Sequence, residues 1–202
     1  MNKPGSNGVE MSVQALTSSG LDDVGSDVID RARHGDQEAF AAVVRVYDRR
    51  LRGLAYRILG DSDRMDDALQ EAYVRAFRAL PRFRGDARLS TWLFRITYNA
   101  CLDELARARK VAYLPLDELA GQASAAPEPG DALSARRELE AALTALSPEE
   151  RAVVLLVDAE GFDYSEAGEI LGIPVGTVAS RLNRARAGLR GSLRPVAEGS
   201  RR

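Results

Sequence analysis

From Val28 onward the apolar positions recur every three or four residues, and Phe40, Val43, Val44, Tyr47, Leu51, Leu54, Ala55, Ile58 and Leu59 form the stripe of an amphipathic helix. Gly60-Asp61 ends it. Asp63 or a neighbour caps a second helix carrying Leu69, Ala72, Tyr73, Ala76, Phe77 and Leu80, and Pro81 stops that one. After the loop from Arg82 to Arg88, Ser90 or Thr91 caps a third long helix with the inward stripe Leu89, Leu93, Ile96, Ala100 and Leu105, running out near Lys110. The period then dissolves between Leu114 and Leu133 into small residues, prolines and glycines that cannot close a core. It returns near Ser134 with Leu139, Leu143 and Leu146, and restarts at Ser147-Pro148-Glu149-Glu150: an N-cap, a proline at the first helical position and acids in the first turn.

No stretch alternates with period two. The expected fold class is therefore all-α, two small helical domains joined by a flexible linker. The boundaries expected are a leader 1–26, a first domain 27–113, a linker 114–133, a second domain 134–195 and a tail 196–202.

Composition narrows the chemistry. At 202 residues and 45% hydrophobic, the chain has no apolar run long enough for a membrane helix, and its polar start lacks the pattern of an export signal. One cysteine (Cys101) excludes an internal disulfide, and one distant histidine (His34) leaves no Cys/His set with ligand spacing, so neither metal nor cofactor is expected. Cys101 reads as a small buried residue and His34 as a surface one. The net charge of −2 hides an uneven distribution: acidic in 1–27, basic in 28–115, acidic in 116–146 and neutral in 147–202. Within the last part, Gly176 to Arg194 holds five arginines and no acid, a segment fit to meet phosphates.

That segment ends a helix-turn-helix pattern. Ser165 caps a short helix with Ala167, Ile170 and Leu171; Gly172 closes it; Ile173-Pro174 turns the chain into a new helix with Val178 and Leu182 inward. Thr177, Ser180, Arg181 and Arg184 then point outward, able to read base edges in a major groove, with Arg186 and Arg190 placed for phosphates. An ordinary helical hairpin with a solvated face would mix charge signs here, and this stretch does not.

On the third helix of the first domain, Trp92, Arg95, Asn99, Asp103 and Arg107 follow at spacings of three or four, combining a ring, an amide and cations as single-stranded nucleic acid requires. The preceding loop, Phe83, Arg84, Gly85 and Asp86, can wall a pocket for an extruded base. Trp92 also fits the edge of a core. The second helix presents Asp66, Asp67, Gln70 and Glu71 with Arg75 and Arg78 one turn on. Without a histidine or a pocket to shift a pKa, these carboxylates suit protein docking rather than acid/base catalysis, so no enzyme is expected.

These features together resemble a small group IV (extracytoplasmic function, ECF) sigma factor of bacterial RNA polymerase. The similarity is carried by residues 35–40 (Gly35 to Phe40), 67–77 (Asp67 to Phe77), 90–103 (Ser90 to Asp103), 146–154, 174–178 and 180–186, and spans about residues 28–194. It implies a σ2 domain and a σ4 domain bridged by the linker. The implied partners are core RNA polymerase, through its β′ clamp helices and β flap, promoter DNA and an inhibitory anti-sigma factor, in the cytoplasm. It also implies roles: Asp67, Gln70, Glu71, Arg75 and Phe77 for the clamp helices; Phe83, Arg84, Asp86, Trp92, Arg95, Asn99, Asp103 and Arg107 at the -10 element; Thr177, Ser180, Arg181, Arg184 and Arg186 at the -35 element. Ala179, Asn183 and Arg64 depart from the family pattern and bear on promoter choice and affinity. Two rivals remain open on residues alone: a free-standing helix-turn-helix regulator, and a helical adaptor that binds only protein.

Overall fold

The computed structural model describes residues 24–112 and 131–193, with side chains from Val24 to Lys110 and from Arg137 to Leu193. Among the described residues all regular structure is helical. The expected linker and tail lie mostly outside them, as does the leader up to residue 23.

Helix α1 (Ser26–Arg33) turns Val28, Ile29 and Ala32 toward the core. Asp36 then caps α2 (Gln37–Leu59) by accepting from the Glu38 and Ala39 N–H groups at 3.0 Å, and it takes the Arg31 guanidinium at 2.6 Å. The Ala39 N–H first, then the arginine, hold the Asp36 carboxyl below its ordinary value. Along α2 the buried residues Val43, Tyr47, Leu51, Leu54 and Ile58 keep the helical period of the sequence, and Gly60 closes the helix with its N–H on the Tyr56 carbonyl at 2.7 Å.

Helix α3 (Ser62–Ala79) is capped by Asp61, whose carboxylate accepts from the Arg64 N–H at 2.9 Å. Its buried Ala68, Ala72 and Ala76 sit one turn apart, and their small side chains let the neighbouring helices approach closely. Pro81 has no N–H to extend α3, so the chain tightens into a 3-10 turn over Leu80–Arg82.

Helix α4 (Leu89–Ala112) departs from expectation in two ways. It starts before Ser90 and Thr91, at the Arg88 carbonyl, which accepts from the Trp92 N–H at 3.0 Å; neither hydroxyl is the cap. Both lie inside the first turn, 0% and 2% exposed, and make no hydrogen bond. The expected stripe is present, with Leu89, Leu93 and Ala100 buried and Ile96 and Leu105 partly so, but a second buried face carries Phe94, Thr97, Tyr98 and Cys101. That face exists because the C-terminal helices cover it.

Those helices are α5 (Asp131–Thr144), α6 (Pro148–Val154) with a π-helical turn over Leu155–Ala159, α7 (Tyr164–Leu171) and α8 (Val175–Ser192). Ser147 caps α6 as expected, accepting from the Glu150 N–H. The cap of α7 is Asp163 rather than Ser165: Asp163 accepts from the Glu166 N–H at 2.8 Å and Glu166 accepts from the Asp163 N–H at 3.0 Å. Between α7 and α8 Gly172 takes φ 66°, and a Cβ on Gly168 would meet the Ile173 carbonyl at 2.9 Å, so the tight turn needs both glycines. Val178 and Leu182 are fully buried beneath it.

The two groups of helices share one continuous core. Helix α7 packs along α4 and α6 against α2. At the junction Phe94 and Phe162 meet edge to face, with ring centroids 4.8 Å apart.

Candidate polymerase and promoter interfaces

On the outer face of α3, Asp67 and Gln70 are exposed and make no hydrogen bond among the described residues, whereas Asp66 is taken by Arg52 at 2.6 Å. Beside them a groove of about 540 Å3 is lined by Gln37, Phe40, Tyr73, Val74, Phe77 and Arg78. Phe77 stands there edge-on to Phe40, centroids 5.1 Å apart, and its half-buried ring forms part of the apolar lining. Tyr73 donates its hydroxyl to Asp48 at 2.7 Å, and burial, then that bond, pushes its pKa up. This face joins free carboxylate and amide groups to an apolar trough, the combination that suits a protein partner.

Arg75 links this face to α4. Its guanidinium donates to Asp103 at 2.6 Å and to Glu71 at 2.8 Å, and these carboxylates raise its pKa. Two residues that the sequence assigned to different partners, Arg75 for the polymerase and Asp103 for the -10 element, are thus bonded to each other. Their separation of 28 positions gives the sequence no pattern that announces the pair.

The loop between the 3-10 turn and α4 leaves Arg84 and Asp86 exposed, while Phe83 and Trp92 pack as a tilted pair with centroids 5.2 Å apart. Both rings are half-buried and touch the core. Trp92 is therefore a core-edge residue whose ring borders the loop. From there Arg95, Asn99, Asp103 and Arg107 run along the exposed side of α4. Arg95 and Asn99 have no partner among the described residues, whereas Arg107 is held by Glu104 at 2.7 Å.

In the helix-turn-helix, Ser180 and Arg184 are exposed, and Thr177 and Arg181 half-buried, on the outward side of α8. Arg184 lies 3.6 Å from Glu150. Arg186 is tied more firmly, donating twice to the Asp158 carboxylate in the π-helical turn. It braces α8 against α6, a role its position in an arginine-rich run conceals. Arg181 lies close enough to Tyr98 to act on its phenol, whose pKa is raised first by burial. Among the described residues no group of three or more His, Cys, Asp or Glu could hold a metal, and no helix is long and apolar enough to cross a membrane.

Residues 43–111 match the family model Sigma-70 region 2, and residues 136–189 match Sigma-70, region 4. The chain is 40% identical to the ECF RNA polymerase sigma factor SigM of Mycobacterium tuberculosis over 77% of each chain. It is 34% identical to the ECF RNA polymerase sigma factor SigW of Bacillus subtilis, over 83% of this chain and 96% of that one. Among solved structures it is similar to the sigma factor RpoE of Bartonella quintana, crystallised with the anti-sigma factor NepR, at TM-score 0.63 and 27% identity over 76% of this chain and 96% of that one. CnrH, solved with the cytosolic domain of CnrY, gives TM-score 0.61 and 26% identity over 85% and 97%. The chain belongs to the sigma-70 family, in its ECF group, and is an RNA polymerase sigma factor rather than a free-standing regulator.

Proposed function

We propose a division of that work among three surfaces. Asp67, Gln70, Glu71, Arg75 and Phe77 on α3 dock on the β′ clamp helices. Thr177, Ser180, Arg181 and Arg184 on α8 read the -35 duplex, with Arg186 bracing that helix. Phe83, Arg84, Asp86, Trp92, Arg95 and Asn99 capture an unpaired base of the -10 element, with Asp103 and Arg107 alongside. The domain limits are those the sequence suggests, 27–113 and 134–195, and the β flap is the natural partner of the second.

The observation that carries this scheme is the free Arg95 and Asn99 on α4, one and two turns on from Trp92, whose ring meets Phe83 of the exposed loop. Extracting a base costs a few kcal/mol of pairing and stacking. One aromatic contact returns about 1–3 kcal/mol, and the amide and guanidinium groups supply the remainder through hydrogen bonds and phosphate contact. The factor makes and breaks no covalent bond in this scheme; strand opening follows from differential binding. Its relatives' complexes with NepR and CnrY support an anti-sigma factor as a further partner, and polymerase as partner places the chain in the cytoplasm.

In vitro transcription with core polymerase and pooled genomic fragments, with 5′ ends mapped, tests the scheme. New starts sharing two spaced upstream elements are expected. Asn99→Ala should abolish those starts while leaving core binding intact, and equal loss of both would remove Asn99 from the -10 site. Arg181→Ala should cost about 1–3 kcal/mol at one position of the -35 element if it reads a base; a uniform loss across sequences would reassign it to phosphate.

A further inference from the structure

In the line Trp92, Arg95, Asn99, Asp103 and Arg107 along α4, Asp103 is the one carboxylate. It stands about one turn after Asn99, the amide proposed to read the extruded base, and a negative charge there is repelled by the phosphates of the captured strand. Residues four apart on a helix are also neighbours, and an amide and a carboxylate at that spacing readily share a hydrogen bond. Left unpaired, Asp103 would repel the strand and accept from the Asn99 amide, occupying the group meant for the base.

Asp103 is turned elsewhere. Its carboxylate accepts from Arg75 Nη1 at 2.6 Å across the gap between α4 and α3, while Arg75 Nε donates to Glu71 at 2.8 Å. The two bonds use different nitrogens of one guanidinium, so Arg75 holds Asp103 without giving up Glu71. These carboxylates, Asp103 first, raise the arginine pKa. A cation nearer in sequence stands four positions past Asp103, but that residue, Arg107, is engaged by Glu104 at 2.7 Å. Asn99, exposed, makes no hydrogen bond among the described residues.

Stability alone gives little reason for this pair. The Arg75 and Asp103 side chains are 37% and 50% exposed, and exposed ion pairs contribute at most about 1 kcal/mol to folding. What the pair does achieve is local: it cancels the carboxylate's charge and draws it away from Asn99.

We propose that Arg75 is a positioning residue for base capture, which from the polymerase-facing helix holds and neutralises Asp103, so that Asn99 is presented free to the -10 strand. Arg75 thus has a second task beside docking, and Asp103 is a restrained neighbour of the strand rather than a contact to it. The proposal rests on the assignment of Asn99 to the -10 base.

The test measures binding of a fluorescent single strand, carrying the -10 sequence that the mapped starts share, to holoenzyme assembled with core polymerase in excess. Arg75→Ala should weaken the strand about three- to tenfold, and so should Arg75→Gln, which keeps most of the side chain's bulk without its charge. Adding Asp103→Ala to either variant should return the affinity to within about twofold of the parent, because the carboxylate that Arg75 restrains is then gone. Damage to folding or to docking is not repaired by removing a second group, so this recovery is the signature of positioning. Unchanged strand affinity in both Arg75 variants, absence of recovery in the double variants, or a larger loss from Asp103→Ala alone than from Arg75→Ala would each overturn the proposal, the last by making Asp103 a direct contact. Unaltered strand binding by Asn99→Ala holoenzyme would instead remove the base-capture reading itself, and the proposal with it.

Discussion

Arg151 sits 8% exposed with no carboxylate in salt-bridge reach among the described residues, an unusual place for a cation. It is tolerated because its guanidinium donates to five backbone carbonyls: Leu143, Thr144 and Leu146 near the end of α5, and Arg57 and Ile58 near the end of α2. These are helix C-termini, where unpaired carbonyls and the negative end of the helix dipole receive a positive charge. Burial lowers the arginine pKa, yet an arginine stays charged near neutrality. Arg151→Ala should therefore cost about 2–4 kcal/mol in urea denaturation, since it strands several carbonyls at once. Arg151→Lys should recover little of this, because a compact ammonium cannot span acceptors that a planar fork reaches together. Recovery by lysine would mean that charge alone matters. Nothing in Ser147-Pro148-Glu149-Glu150-Arg151 announced this role, because the acceptors are main-chain atoms, and those on α2 lie more than 90 positions away. The residues legible as site candidates were those on regular helix faces, Asn99 and Arg184 among them. Arg75 and Asp103 were legible one at a time and not as a pair.

At the scale of elements, a stripe such as Val43, Tyr47, Leu51, Leu54 and Ile58 translates directly into a helix, because burying one face requires little more than its period. Helix ends were less legible where polar residues crowd together. Asp163 and Ser165 both offer a capping oxygen, and the choice falls to Asp163 because Glu166, three positions on, completes the reciprocal bond. Asp163→Ala should accordingly lower stability by about 0.5–2 kcal/mol in thermal or urea unfolding, while Ser165→Ala should change it by only a few tenths. The reverse order would restore Ser165 as the cap. For α4 the failure was of another kind. Its stripe predicted one buried face, and the second, with Phe94, Tyr98 and Cys101, is created by α7, about 70 positions downstream. A period records how many residues are apolar along a helix, not how many neighbours that helix will have.

The expected pair of small domains and the observed shared core meet at Phe162. This residue is 2% exposed in the segment before α7, its partner Phe94 is 0% exposed in α4, and the two rings meet across the junction between the groups of helices. Groups of some 60–85 residues bury a modest fraction of their surface alone, and a shared aromatic contact gives them a common unfolding step. Truncating a buried phenylalanine costs about 3–5 kcal/mol, and at this junction the loss falls on the coupling between groups rather than on either core. Phe162→Ala should therefore do more than lower the melting temperature. In scanning calorimetry the parent chain should unfold in one transition with matching calorimetric and van't Hoff enthalpies, and the variant should show a calorimetric enthalpy exceeding the van't Hoff value, with two resolvable components. Val153→Ala is the control: buried in α6, it should shift the transition without splitting it. A single transition in Phe162→Ala, displaced like that of the control, would assign Phe162 to the C-terminal core and leave the two groups coupled by their polar ties alone.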